Sequence, residues 1–246
     1  MRLVTWNANC RFRDKIGLFS PNDRDVLIIQ ECENTKASEA VYKNAGWDYV
    51  WVGGNRHKGL GVFVPDGDPI EPLDWQFERC RYFLPVRTQG DTTIVGVWAM
   101  GGKSKRLSYA GQITQFIQDA AGMLREKPPI IAGDFNSSAI WDDRHPLANH
   151  TGNNEILESF GLRSLYHAKE GCAQGAESEA TLYMYRDHAR PYHIDYCYLS
   201  VDLVDISTIA IGSPSVWLEH SDHMPLFINM TANKDNSADA KKHAAD

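Results

Sequence analysis

Ten short segments of β-branched, aromatic or alternating apolar residues punctuate the chain, at 2–6, 25–30, 49–52, 61–65, 82–87, 92–98, 129–132, 193–199, 204–211 and 224–229. Helical patterning is rarer. It is strongest over 105–126, where Leu107, Ala110, Ile113, Phe116, Ile117, Ala120 and Leu124 recur at three-to-four spacing on one face. Shorter helices are predicted at 13–19, 36–44 and 153–160, the last stopping at Gly161. Strands outnumber helices about two to one and do not alternate regularly with them. A doubly wound parallel sheet needs a crossover helix between successive strands, so this order specifies a mixed-sheet α+β sandwich instead.

Seven Trp and an apolar share of 43% supply enough material for a sizeable core. No Pro-, Gly- or Ser-rich linker and no internal repeat interrupts residues 1–230, which are expected to form one domain. After Met230 the composition turns to Asn, Asp, Lys and Ala, and 231–246 is expected to be a polar, disordered tail. Net charge is −7 and the sequence pI about 5.7, so any contact with nucleic acid must be local rather than made by the global field. Cysteines stand at 10, 32, 80, 172 and 197, an odd number without a CxxC pair, which fits reduced thiols better than a disulfide framework or zinc knuckle. No apolar run reaches membrane-spanning length, and the first six residues read as a strand rather than a signal peptide. A cytoplasmic location, no membrane contact and no obligate protein partner are the corresponding expectations.

Polar clusters sit where apolar strands end, the positions at which a scaffold presents reactive groups. They are Trp6-Asn7-Ala8-Asn9, Gln30-Glu31 after Val26–Ile29, Gly133-Asp134-Phe135-Asn136 after Pro129–Ala132, and Ser221-Asp222-His223 before the last strand. Singly, each reads equally as a turn. Asp195 does not, because a carboxylate between Ile194 and Tyr196 is costly to bury unpaired.

Phosphodiester hydrolysis gives these residues a common purpose. It requires a hard cation held by one or two carboxylates, an activated water, and donors aimed at phosphoryl oxygens. Glu31 and Asp222 can hold the cation, His223 and Asp195 can form a His–carboxylate pair, and Asn7 and Asn136 can donate without adding charge. All-oxygen ligands suit Mg²⁺ or Mn²⁺ rather than Zn²⁺.

Five of these motifs, in order, resemble the endonuclease/exonuclease/phosphatase superfamily: Trp6-Asn7, Gln30-Glu31, Gly133–Asn136, Ile194-Asp195-Tyr196 and Ser221–His223. The resemblance, which extends to deoxyribonuclease I and apurinic/apyrimidinic endonucleases, spans residues 5–229. It implies a four-layer α/β/β/α sandwich of two mixed, mainly antiparallel sheets flanked by helices. It implies Glu31 as principal metal ligand, Asp222 and Asn9 near the metal, and His223 with Asp195 as its orienting partner. Asp134 and Asn136 would position water and phosphate, with Asn7 holding Asp134 or a metal-bound water. One position departs from the family. Where relatives offer a His or Tyr to the phosphate, this chain has Trp98, whose indole donates one hydrogen bond but exchanges no proton. The core reading of Trp98 stands beside the substrate-binding one.

The substrate is less constrained. Thr181-Leu182-Tyr183-Met184-Tyr185-Arg186, followed by His193, resembles a nuclease stretch in which aromatics and an Arg stack bases or sugars, although core packing explains it equally. Arg56-His57-Lys58 and Lys103-Ser104-Lys105-Arg106 are local basic clusters that also read as solvated loops. Lys58, Trp98, Arg186 and His193 are therefore the candidate substrate contacts. A nuclease or nucleotide phosphodiesterase is the leading expectation. The alternatives are a small-molecule or inositol-phosphate-type phosphatase and, more distantly, a catalytically inactive binding module.

Overall fold

The computed structural model describes residues 1–21, 25–77, 79–102, 109–146 and 148–231. The basic cluster at 103–106, the start of the predicted helix at 105–108 and nearly all of the tail lie outside the described residues. In chain order the strands are β1 (Arg2–Asn7), β2 (Asp25–Cys32), β3 (Trp47–Asn55), β4 (Lys58–Pro65), β5 (Ile70–Pro72), β6 (Phe83–Thr88) and β7 (Thr92–Trp98). There follow β8 (Ile130–Asp134), β9 (Leu162–Ser164), β10 (Leu182–Tyr183), β11 (Pro191–Tyr192), β12 (Asp195–Ser200), β13 (Ser207–Ile211) and β14 (Leu226–Met230). The helices are α1 (Lys36–Asn44), α2 (Ala110–Asp119), α3 (Ala121–Glu126), α4 (His150–Ser159), α5 (Leu165–Glu170), α6 (Val201–Asp205) and α7 (Pro214–Trp217).

Twelve of these strands form two six-stranded sheets, ordered β13-β14-β1-β2-β4-β3 and β5-β6-β7-β8-β12-β9, while β10 and β11 pair as a separate hairpin. Each sheet is antiparallel except for one parallel pair, β1–β2 in the first and β7–β8 in the second. Strand alternation divides the apolar residues between layers. Leu3, Val26, Ile28, Leu60 and Val62 meet Leu84, Val86, Ile94, Ala132 and Cys197 between the sheets. Their neighbours Val4, Leu27, Ile29 and Phe63 face outward under α1, packed with Phe12, Ile16 and Tyr42. On the other outer face Phe83, Val95, Val97 and Ile131 pack under Ile113, Phe116, Ile117 and Leu124 of α2 and α3. The result is the four-layer sandwich expected from the sequence. Among the described residues no helix is long and apolar enough to cross a membrane.

Three local expectations change. The predicted strand 204–211 begins only at Ser207, because the chain leaving β12 reverses through one helical turn, α6, before entering β13 beside β14. The helix predicted to run to 126 bends at Ala120 (φ −91°, ψ 1°), which keeps both Ala120 and Leu124 in the outer core. Residues 13–19 form two 3-10 turns rather than an α-helix. Gly17 in their middle disfavours a continuous helix, and the two turns bury Phe12 and Ile16.

Gly133 controls the approach of β8 to β7. Its φ is +152°, and a Cβ there would lie 1.9 Å from the Val97 carbonyl oxygen. Only glycine fits without displacing the strand pair that ends at Asp134. Gly133→Ala is expected to lower stability by about 2 kcal/mol or more, read as a reduced urea midpoint. A midpoint unchanged from wild type would show that the strand pair tolerates the added methyl group.

Candidate active site

The two parallel pairs deliver Asn7 and Gln30, and Trp98 and Asp134, as register partners at their carboxyl ends. One hydrogen bond joins the sheets there: Asn7 Nδ2 donates to Asp134 Oδ2 at 2.9 Å. Asn136, in the left-handed region at φ 48°, turns back on the same carboxylate. Its backbone N–H reaches Asp134 Oδ1 and its amide Nδ2 reaches Oδ2, both at 2.9 Å. Asp195 is the direct cross-strand partner of Asp134, and His223 Nδ1 lies 3.0 Å from Asp195 Oδ2. The histidine is fixed from several sides. Trp6 Nε1 donates to the His223 carbonyl (2.8 Å), the His223 N–H donates to Ser221 Oγ (3.1 Å), and Ser221 Oγ–H donates to the Asn7 carbonyl (2.7 Å). Trp6, Ser221 and Asn7 thus form one brace under the imidazole.

Asp134, Asp195 and His223 are all buried and present ligand-type atoms within 4.8 Å of one another. Burial and then the charge of Asp195 push Asp134 up to about 7. For His223 burial works in the opposite direction, but the carboxylates of Asp195 and Asp134 outweigh it and raise the imidazole to about 10. The two shifts run in one direction: Asp134 holds a proton more readily than an exposed carboxyl does, and the imidazole is favoured in its protonated form.

Glu31 sits beside this cluster because β2 bulges between Gln30 and Cys32, with Glu31 at φ 61°. The bulge re-aims its side chain relative to regular alternation. Its Oε2 is 2.8 Å from Lys58 Nζ and accepts from Cys10 Sγ at 3.6 Å. Asn9 Nδ2 donates to Asp222 Oδ1 at 2.9 Å. The turn carrying Asn9 runs through three consecutive left-handed residues, Asn9, Cys10 and Arg11, and Lys15 Nζ donates to the carbonyls of Ala8 and Cys10. Glu31, Asp222 and the Asn9 amide oxygen offer only oxygen donors, and a lysine ammonium already neutralises Glu31. Both facts fit a hard divalent cation. The Asp134–Asp195–His223 group suits one less, since His223 Nδ1 is committed to Asp195.

Four candidate substrate contacts fare differently. Lys58 is in the cleft on Glu31. Arg186 is exposed at the tip of the β10–β11 hairpin, directed at the carbonyls of Glu219 and His220 (3.4 and 3.5 Å). Trp98 is 2% exposed within the inter-sheet core, its ring 4.8 Å from Tyr82, so its role is packing. His193 is corrected most clearly. Named as a candidate substrate contact, it is buried, with Nδ1 2.8 Å from the Glu179 carbonyl and its ring against Tyr166 and Tyr196. Strand pairing begins only at Asp195, so the alternation does not extend back to 193.

Sequence reading passed over Thr181, His150 and Cys10. Thr181 Oγ1 accepts the N–H groups of Ile194 and Asp195, each at 3.0 Å, and anchors the start of β12. His150 supports the loop after Asn136: Ser137 Oγ lies 2.9 Å from its Nδ1, and Gln174 Oε1 3.1 Å from its Nε2. No spacing in the chain announces these partnerships; Cys10 alone could have been flagged, from its place one residue after the Trp-Asn-Ala-Asn cluster.

The four-layer sandwich is shared with solved structures of low sequence identity. A 3′-5′ exonuclease from Neisseria meningitidis matches with a TM-score of 0.72 and 19% identity over 94% of this chain and 100% of that one. An AP endonuclease from Archaeoglobus fulgidus gives 0.70 and 18%, with the same coverage of both chains. A 3′ phosphatase from Neisseria bound to a product DNA hairpin gives 0.73 and 17%, again over 94% and 100%. No curated protein matches the chain significantly. Fold and site define a divalent-metal-dependent phosphoric ester hydrolase. The chain belongs to the Endonuclease/Exonuclease/phosphatase family, whose sequence model matches residues 4–223.

Burial lowers His150 to about 4, whereas in the unfolded chain it protonates near 6.5. The unfolded state therefore binds the extra proton between these values. The stability contributed by neutral His150 is complete above pH ~6.5 and is lost towards pH 4 at up to about 1.4 kcal/mol per unit. Urea titrations at several pH values should show this slope in wild type and a shallower one in His150→Gln; equal slopes would remove His150 as the cause.

Proposed function

We propose that the chain hydrolyses phosphodiesters of nucleic acid or nucleotides, with Mg²⁺ or Mn²⁺ held by Glu31, Asp222 and the amide oxygen of Asn9. When bound, the cation supplies Lewis-acid stabilisation of charge on the phosphoryl oxygens. The remaining work falls to the protein. Asp134, raised towards neutrality and fixed by Asn7 and Asn136, takes a proton from the attacking water. His223 keeps Nδ1–H on Asp195, which leaves Nε2–H to meet a phosphoryl oxygen. Asn136 and Asn7 hold the Asp134 carboxylate so that it faces the water rather than rotating into the core.

The observation that favours a nucleic-acid or nucleotide substrate is the β10–β11 hairpin. Tyr185 at its tip is 78% exposed, with the Arg190 guanidinium 5.7 Å from its ring centroid and Arg186 beside it. The hairpin is fastened to the site itself: the Tyr183 N–H donates to the Asp222 carbonyl at 2.8 Å, and Leu182 bridges to His223. An exposed aromatic flanked by two arginines, next to a phosphoester centre in an acidic protein, suits base stacking beside a phosphate backbone. Backbone at Tyr185 and Arg186 is left-handed (φ 61° and 60°), which turns the ring outward instead of into the core.

A panel of single-stranded, duplex and abasic DNA, RNA, bis-p-nitrophenyl phosphate and inositol phosphates tests the reading with Mg²⁺, Mn²⁺ and EDTA. Metal-dependent cleavage of a nucleic acid is expected. Tyr185→Ala should raise KM for that substrate about tenfold, from the ~1–3 kcal/mol of lost stacking, and leave bis-p-nitrophenyl phosphate untouched. Hydrolysis of inositol phosphates alone would return the small-molecule reading, and full activity in excess EDTA would end the metal assignment.

The His–Asp pair is tested separately. Asp195→Asn should reduce kcat by about 10²–10⁴, and His223→Ala by at least as much. Because residues acting as one unit are non-additive, the double variant should be little worse than His223→Ala alone. Additive losses in this cycle would mean that the two side chains act independently.

A further inference from the structure

The departure at Trp98 leaves a gap in the chemistry. The family resemblance implies a His or Tyr for the phosphate at that strand end, and here the side chain is a buried indole that exchanges no proton. The structure places a cation over it. Lys58 opens β4, and its Nζ lies 5.4 Å from the centroid of the Trp98 ring. The same Nζ is 2.8 Å from Glu31 Oε2. The lysine side chain is 41% exposed and the glutamate 15%, so the pair bridges the cleft mouth and its floor. Lys58 is placed there by close backbone packing: a Cβ on the next residue, Gly59, would lie 2.3 Å from the Trp51 ring and 2.4 Å from the Val52 carbonyl.

We propose that Lys58 is a tethered counter-ion that changes partner during the catalytic cycle. In the metal-free protein it neutralises Glu31. When the divalent cation takes Glu31, Lys58 gives up that carboxylate, remains over the Trp98 face and contacts a phosphoryl oxygen of the substrate. It thereby supplies the positive contact that the missing His or Tyr would have made. The proposal rests on the reading of Glu31 as a metal ligand. A dication on Glu31 and an ammonium 2.8 Å from the same carboxylate repel each other, and this repulsion favours release of the lysine when the metal binds. The lysine's flexible stem permits the movement, and the indole face offers the displaced ammonium a favourable position close by. Exchange of one cation for another keeps Glu31 neutralised throughout, which prevents a bare carboxylate from repelling the incoming phosphate.

Calorimetric titration of Mn²⁺ into the chelator-stripped full chain reads the exchange directly. Lys58→Met removes the competitor and should tighten Mn²⁺ binding about fivefold or more, whereas Arg56→Met, the same charge change on an exposed neighbour, should shift it less than about twofold. At saturating Mn²⁺, Lys58→Met should lose at least about tenfold in kcat/KM on bis-p-nitrophenyl phosphate, with partial recovery in Lys58→Arg. Mn²⁺ affinity that is unchanged or weaker in Lys58→Met overturns the counter-ion role. Tighter binding with unimpaired turnover overturns the phosphate contact. Glu31→Gln separates the two readings: if it binds Mn²⁺ as wild type does, Glu31 is not a ligand and the underlying assignment fails. If Glu31→Gln abolishes binding while Lys58→Met leaves it unchanged, only the exchange fails.

Discussion

Two carboxylates, Asp134 and Asp195, face each other across adjacent strands in a position closed to solvent. Like charges at that separation in an apolar sandwich are tolerated only with a proton or cation between them and donors around them. The surrounding architecture supplies these for Asp134 and for Asp195 Oδ2, leaving Asp195 Oδ1 without a hydrogen-bond partner. His223 brings the positive charge from the segment before the last strand, Asn7 brings an amide from the first, and Asn136 folds back from the loop beyond Asp134. The brace of Trp6, Ser221 and Asn7 then holds the imidazole in register. Residues from both ends of the chain are thereby committed to one buried electrostatic knot.

That knot divides the cleft into two compartments with different chemistry. The inner one, Asp134–Asp195–His223, is buried: burial and the neighbouring Asp195 raise the Asp134 carboxyl, while the two carboxylates outweigh burial and raise the His223 imidazole. The outer one, with Glu31, Asp222 and Asn9, is partly open and has oxygen donors for a cation. The hairpin that carries Tyr185 and Arg186 is bonded to a residue of each, Asp222 and His223.

Much of the site was legible in the chain because its residues close or interrupt strongly apolar strands. Asn7, Glu31 and Asp134 stand where β1, β2 and β8 end, and Asp195 is conspicuous as a carboxylate opening an apolar strand. The same reasoning misplaced His193, since the strand predicted at 193–199 includes two residues ahead of the first paired residue of β12, Asp195. It merged α6 and β13 for a related reason: Val201–Ile211 is apolar enough for either structure, and only the need to reverse direction beside β14 selects the helical turn.

By itself, then, the sequence determined the alternation of apolar residues along the strands, the mixed-sheet α+β character of the fold, and the identities of the polar groups at strand ends, while the four-layer order came from the family resemblance. The first three follow from local periodicity and from the cost of burying a lone charge, both of which are written into neighbouring residues. The tertiary structure alone decided that Lys58 lies on Glu31 and over Trp98, that His150 supports the Asn136 loop, and that His193 belongs to the outer core. Such partnerships join residues from 13 to 40 positions or more apart. They are fixed by bulges, left-handed turns and inter-sheet packing, whose geometry depends on the whole assembled sandwich and has no counterpart in local spacing.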